Sequence, residues 1–321
     1  DKYIFYSKLD KNHRPRKIFR HELGTSTKND LLIFEEKSEA FTVGIGLSSD
    51  EKYYFITSSD HNTSEQYYFS VNETKPEPKL MQKREKGIIY SINSWGGYFY
   101  MHTNKGAEDF KIDKTNDISF VKWESYIPAK DETLIGGLTF LNNWIIRSEV
   151  TNALGKIFVK NLKNEKEEEL IFSDEKVFDG GVSLVQKDKN TDLVHISYST
   201  PKTQSRVYLY NLKSKEKKLV KEQIIPSGHN PDDYIVERFD CESHDGRKVP
   251  ITITRHKKTN IDGNANLLLY GYGSYGNSMS PSFSSTRLSL VNRDIIWVTA
   301  HIRGGLERGM KWWKEGKLLN K

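Results

Sequence analysis

Five short aromatic segments echo one another through the first two thirds of the chain, and their spacing limits the fold more than any other feature. They are RKIFRHEL around Phe19, EQYYFSV around Tyr68, AEDFKID around Phe110, GKIFVKNL around Phe158 and SRVYLYNL around Tyr208. Successive aromatic residues lie 49, 42, 48 and 50 positions apart. The text between them is aromatic and β-branched runs broken by Asn, Asp, Gly and Lys turns, as in KYYFITSSDHNTSEQYYFSV (52–71), which reads as strands joined in hairpins. A unit of this length holding about four strands is the sequence signature of a propeller blade. A β-sandwich with coincidental spacing is the competing reading, because aromatic strands recur in any all-β protein; four similar intervals favour the propeller. No WD or kelch signature marks the units, so the blade number rests on period and strand texture.

The grammar changes at IIPSGHNPDDY (224–234), where two prolines, a glycine and Asn/Asp turn formers interrupt the strand text. We therefore expect propeller blades over 1–225, a linker over 226–233 and a second domain over 234–321. Its first strands are expected at 234–240 and 248–255, joined by a turn at Asp245-Gly246. Two apolar runs follow, NLLLYGYG (266–273) and DIIWVTAHI (294–302). Nearly continuous apolar strands are expected to be buried on both faces, as in a sheet covered by helices. SSTRLSLVNRD (284–294) has the Ser/Thr start of a covering helix. Fewer than ninety residues follow the linker, too few for a complete α/β domain of this kind.

At 321 residues the chain has room for two domains. The 49 basic and 43 acidic side chains give a net charge of +6, but both signs mix within stretches such as KNLKNEKEEEL (160–170). That is a solvated lysine-rich surface and not the one-sided basic face of a nucleic-acid binder. No window approaches the roughly 18 apolar residues of a membrane span, so neither nucleic acid nor membrane is an expected partner. A single cysteine, Cys241, cannot form an internal disulfide, which suits a reducing compartment, the cytoplasm. The N-terminus DKYIFYSKLD lacks an initiator Met and a signal pattern, as expected for a chain that begins after processing or inside a longer protein.

LLLYGYGSYG (267–276) poses the functional question. Its glycines have the G-x-G-x-x-G spacing of a nucleotide-phosphate loop, yet NSMSPSFSS follows, with Pro281 breaking any immediate helix. About twenty positions on, where a ribose-binding acid would stand, the chain reads RLSLVNRD, and its Asp294 belongs to the start of the next strand. The glycines therefore read as turn formers at a strand end that bring two tyrosines to a cleft. Nor does Ser274 sit in the G-x-S-x-G elbow of a hydrolase nucleophile, a pattern found nowhere in the chain.

The stretch from LLLYGYGSYGNSMSPSFSSTRLSLVNRDIIWVTAHIRGG to W-x-x-x-GKLLNK resembles the start of the hydrolase domain of the prolyl oligopeptidase family, most closely its oligopeptidase B (protease II) branch. HELGTSTKNDLLIFEE (21–36) resembles the same family more loosely. The resemblance implies a seven-bladed propeller capping an α/β-hydrolase domain, with about five blades and the incomplete start of the hydrolase domain in this chain. It implies a serine-type endopeptidase acting on short peptides after Arg or Lys, with no metal or cofactor. The Ser-Asp-His triad would lie outside the chain, leaving it inactive alone; a noncatalytic propeller remnant that binds peptides or proteins is the alternative.

Residue by residue, Tyr272 matches the family tyrosine that donates to the oxyanion, although read alone it is as well a core tyrosine at a strand end. Tyr275 matches a residue lining the substrate cleft. Arg303, at the end of the second apolar run, is a cleft residue by position, with a salt bridge that fixes the loop as its other reading. His301 precedes any nucleophile and does not fit the triad order. The family's R-G-G-G-E-x-G reads R-G-G-L-E-R-G here; if the third position needs a positive φ, Leu306 strains the turn by roughly 1 kcal/mol or more.

Overall fold

The computed structural model describes residues 2–320, which divide into two compact units between Ala129 and Lys130. In the first unit, strands β1 (Tyr3–Leu9), β2 (Pro15–Glu22) and β3 (Leu31–Glu35) form one sheet. A second sheet holds β4 (Thr42–Leu47), β5 (Tyr53–Ser59), β6 (Ser64–Ser70) and β7 (Lys79–Gln82), and a third holds β8 (Tyr90–Trp95), β9 (Tyr98–Thr103), β10 (Lys111–Thr115) and β11 (Glu124–Ile127). The second unit continues with β12 (Thr133–Leu141), β13 (Trp144–Thr151), β14 (Leu154–Asn161) and β15 (Glu167–Glu169), then β16 (Asp179–Leu184), β17 (Leu193–Ser199), β18 (Arg206–Asn211) and β19 (Lys217–Glu222). Within each of these sheets every strand pairs antiparallel with the next in sequence. Up-and-down sheets in succession make this a β-propeller-like domain.

The sequence period has a structural meaning. Tyr68, Phe158 and Tyr208 all lie in the third strand of a four-stranded sheet, and Phe110 immediately precedes one; Phe19 lies in the middle strand of the three-stranded sheet. A third strand is paired on both sides, where a flat aromatic ring packs well on a pleated surface. Sheets then stack through their side chains. Ile18, Val43, Ile56 and Phe69 join the first two sheets; Phe55, Tyr90, Phe99 and Phe120 join the next two. In the second unit Leu141, Ile157, Val194 and Ile196 perform the same service.

The last sheet is built differently. β20 (Tyr234–Glu242), β21 (Lys248–His256), β22 (Leu267–Tyr270) and β23 (Ile296–Ala300) take the order β20-β21-β23-β22. β20, β21 and β23 pair antiparallel, but β22 and β23 pair parallel. Parallel neighbours need a crossover, here supplied by α1 (Ser285–Val291). Ser284 caps it by accepting from Arg287 N–H (3.2 Å), and Leu288 and Val291 face Tyr234 and Trp297. A short helix, α2 (Gly309–Lys314), buries Met310, Trp312 and Trp313.

Two expectations need correction. The run 266–273 is not covered on both faces: Leu267 is 56 % and Leu269 65 % exposed, because among the described residues β22 lies at the sheet edge with β23 as its one neighbour. β23, flanked on both sides, is buried as expected. Leu306 is not strained, since its φ is not positive and the left-handed turn residues of that loop are Gly304 (φ 99°) and Gly309 (φ 79°).

His301 follows β23 and is wholly buried, its Nε2 2.8 Å from Thr252 Oγ1. Burial first, and Arg238 nearby second, push its pKa down to about 4 from the ordinary 6.5. The unfolded chain therefore binds the extra proton first, and the stability from neutral His301 is lost as pH falls from about 6.5 towards 4. Chemical denaturation across that window should show wild type losing roughly 3 kcal/mol relative to His301→Gln. Phe69 is 1 % exposed and packs on Phe5 and Tyr54; Phe69→Ala should cost roughly 3–5 kcal/mol in the same measurement. Ile171→Ala, at a 72 % exposed position, should change stability by less than about 0.5 kcal/mol.

Candidate functional site

The parallel pair β22–β23 puts two carboxyl ends side by side, with Tyr270 opposite Thr299 in the register. Loops leaving the carboxyl ends of neighbouring parallel strands are where open α/β sheets gather ligands. Here those loops are 271–276, which carries the glycines and tyrosines, and 301–308, which carries R-G-G-L-E-R.

The two loops lock together through glycine. Gly276 N–H donates to Gly304 O (2.9 Å), and Gly304 N–H donates to Trp312 O (3.1 Å). A β-carbon on Gly304, whose φ is 99°, would sit 1.9 Å from Gly273 O and 2.9 Å from Gly316 O. One on Gly273, φ 58°, would lie 2.5 Å from Arg303 O. Main chain thus packs on main chain from three segments, which only glycine permits. The spacing that mimics a phosphate loop is used for this contact, and Leu306 packs beside Gly276.

The lock holds two tyrosines at the surface. Tyr272 is 40 % exposed, and Tyr275 is 76 % exposed with its backbone in the left-handed region at φ 56°. Arg303 points elsewhere: Nη1 meets Asp245 Oδ2 at 2.5 Å in the β20–β21 turn, and the guanidinium lies 6.0 Å from the Trp312 ring. It ties the 301–308 loop to that hairpin. Arg303 pulls the Asp245 carboxyl below its usual range, against the opposing effect of burial.

Sequence reasoning missed two further supports of this loop. Glu307 is wholly buried, Oε1 accepting from Met279 N–H (2.9 Å), and burial pushes its pKa up. The β13–β14 turn, Asn152-Ala153, has both residues at positive φ, the geometry of a type I′ hairpin. Its backbone and side chain are gripped from the last sheet: Arg238 donates to Asn152 O, Arg308 Nε to Asn152 Oδ1 (3.1 Å), and Ala153 N–H to Glu307 O (2.7 Å). These partners lie 86 and 156 residues from Asn152, so no local pattern betrays them. Chemically, the site offers phenol donors on a fixed backbone.

Residues 1–223 match the family described as "Prolyl oligopeptidase, N-terminal beta-propeller domain". Among characterised relatives, the chain is 32 % identical to Dipeptidyl aminopeptidase BI of Pseudoxanthomonas mexicana, over 95 % of this chain and 42 % of that protein. It is 31 % identical to Protease 2 of Moraxella lacunata, over 99 % of this chain and 46 % of that protein. Oligopeptidase B from Trypanosoma brucei with covalently bound antipain, in a closed form, superposes with a TM-score of 0.92 at 29 % identity, covering 100 % of this chain and 47 % of that one. The chain thus spans less than half the length of these relatives. With the blade-like sheets and a family match over more than two thirds of its residues, the chain belongs to the prolyl oligopeptidase family.

Proposed function

We propose that this chain supplies the propeller blades and the opening strands of the α/β-hydrolase domain of a serine oligopeptidase that cleaves short peptides after Arg or Lys. In this reading residues 1–225 are propeller, 226–233 linker and 234–321 the start of the hydrolase domain, and the Ser-Asp-His triad belongs to sequence beyond Lys321. The mixed sheet with its parallel pair and crossover helix supports the domain assignment, and the names of the relatives support peptide hydrolysis. The exposed thiol of Cys241, outside any disulfide, supports a cytoplasmic protein. Among the described residues no helix is long and apolar enough to cross a membrane.

One observation carries the reading: Tyr272 stands at the carboxyl end of a parallel strand in a loop that glycine contacts hold rigid. Acyl transfer places negative charge on the former carbonyl oxygen. A phenol already fixed at hydrogen-bond distance stabilises that charge more than the neutral ground state and need not reorganise during the reaction. Tyr275 lies against the peptide, and Arg303 borders the cleft while Asp245 holds it.

Two outcomes follow. Purified residues 1–321 should not turn over Arg- or Lys-ended fluorogenic peptides, because an oxyanion donor without a positioned nucleophile supplies little rate; turnover abolished by a single substitution in this chain would refute the assignment. In the complete protein Tyr272→Phe should lower kcat/KM roughly ten to a thousandfold while leaving Tm nearly unchanged. A lowered Tm with normal kcat/KM would make Tyr272 a packing residue only.

A further inference from the structure

A cavity of about 220 Å³ opens in the second unit between the β12–β15 sheet, the β16–β19 sheet and the segment 278–281. Gly155, Gly180, Gly181, Ser278 and Ser280 are among its lining residues, beside Arg147, Glu149 and Lys156. Its volume is below the roughly 300–1,000 Å³ of pockets that take whole ligands, and it has room for one long side chain. The space is there because glycine leaves it: a β-carbon on Gly155 would meet only Gly180 O, at 3.9 Å.

One charge in this wall has no counterpart. Asp179, the first residue of β16, is half-buried, with the Ser280 hydroxyl as its neighbour and no ion pair among the described residues. Burial leaves the carboxylate short of solvent and pushes its pKa up. The cations sharing the wall are already engaged: Arg147 by Glu149 (2.9 Å) and Glu167 (2.7 Å), and Lys156 by Glu169 (3.4 Å). A half-buried carboxylate in a glycine-walled slot recovers its lost hydration when a guanidinium or ammonium enters.

The slot also adjoins the proposed site along the chain. Ser278 and Ser280 lie two and four residues after Gly276, which closes the loop carrying Tyr272 and Tyr275. The chain thus runs directly from the loop that carries the two tyrosines into the wall of the slot.

We infer that Asp179 and the glycine-walled cavity form a subsite for the cationic side chain of a peptide, an Arg or Lys, contributed by the propeller. The placement beside a scissile bond rests on the oligopeptidase reading; the recognition itself does not, and binding tests it without turnover. Titrate the chain with an amidated tripeptide bearing a central arginine and with its citrulline twin, which keeps the shape and loses the charge. The arginine peptide should bind at least tenfold more tightly, and Asp179→Asn should erase the difference while leaving citrulline binding in place. Gly155→Val fills the slot without touching the carboxylate and should weaken the arginine peptide by a similar factor; if Asp179→Asn fails to fold, this variant decides. Equal binding of the twins by wild type, a difference that survives Asp179→Asn, or undiminished binding by Gly155→Val overturns the subsite. Absent hydrolysis in the complete protein would instead overturn the peptidase reading and leave the binding difference standing.

Discussion

The approach of Gly304 to Gly273 and Gly316 is the contact on which the site depends. A β-carbon at Gly304 would fall inside the radius of a carbonyl oxygen, so the three segments meet at main-chain distance or not at all. The Gly276–Gly304 hydrogen bond fixes the register of the two loops. Arg303, Glu307 and the Asn152 turn then hold the second loop from three sides. Each is an ordinary interaction; their sum is a backbone whose tyrosines are positioned before any ligand arrives, which is what electrostatic stabilisation of a transition state requires.

Buried ionisable groups are the cost of this arrangement. His301 and Glu307 are both wholly buried, each with a polar atom, Nδ1 and Oε2, that lacks a hydrogen-bond partner among the described residues. Burial favours the neutral form of each, so desolvation acts on stability in opposite directions with pH: neutral His301 weakens the fold on acidification, and neutral Glu307 weakens it as pH rises above the ordinary carboxylate range.

The blades were legible because their determinants are local. Strands paired on both sides favour aromatic residues, so the repeat showed in Tyr68, Phe158 and Tyr208 of third strands, in Phe110 just before one and in Phe19 of the three-stranded sheet's middle strand. The β20–β21 hairpin and the Ser284 cap were legible for the same reason. The exposure of β22 was not, since an apolar run does not say whether a strand lies at an edge or in the middle. The role of the glycines was half legible: their turn function followed from Pro281 and from Asp294 belonging to the next strand run, but the partner glycine stands some thirty residues on, in 301–308. Leu306 misled because the positive φ of this loop belongs to Gly304 and Gly309. Asn152 and Asp179 gave no signal, as their neighbours come from distant sequence.

The up-and-down order of the first five sheets also bears on how the chain comes to be folded. Each of these strands pairs with one just made, so a sheet can close within some fifty residues and the next can add to it while the ribosome is still at work. The last sheet breaks that rule. β23 must reach back past β22 to pair with β21, and β22 gains its partner only after α1 has been laid down. The segment that shapes the two glycine loops therefore forms by a less local step than the sheets that precede it in the chain.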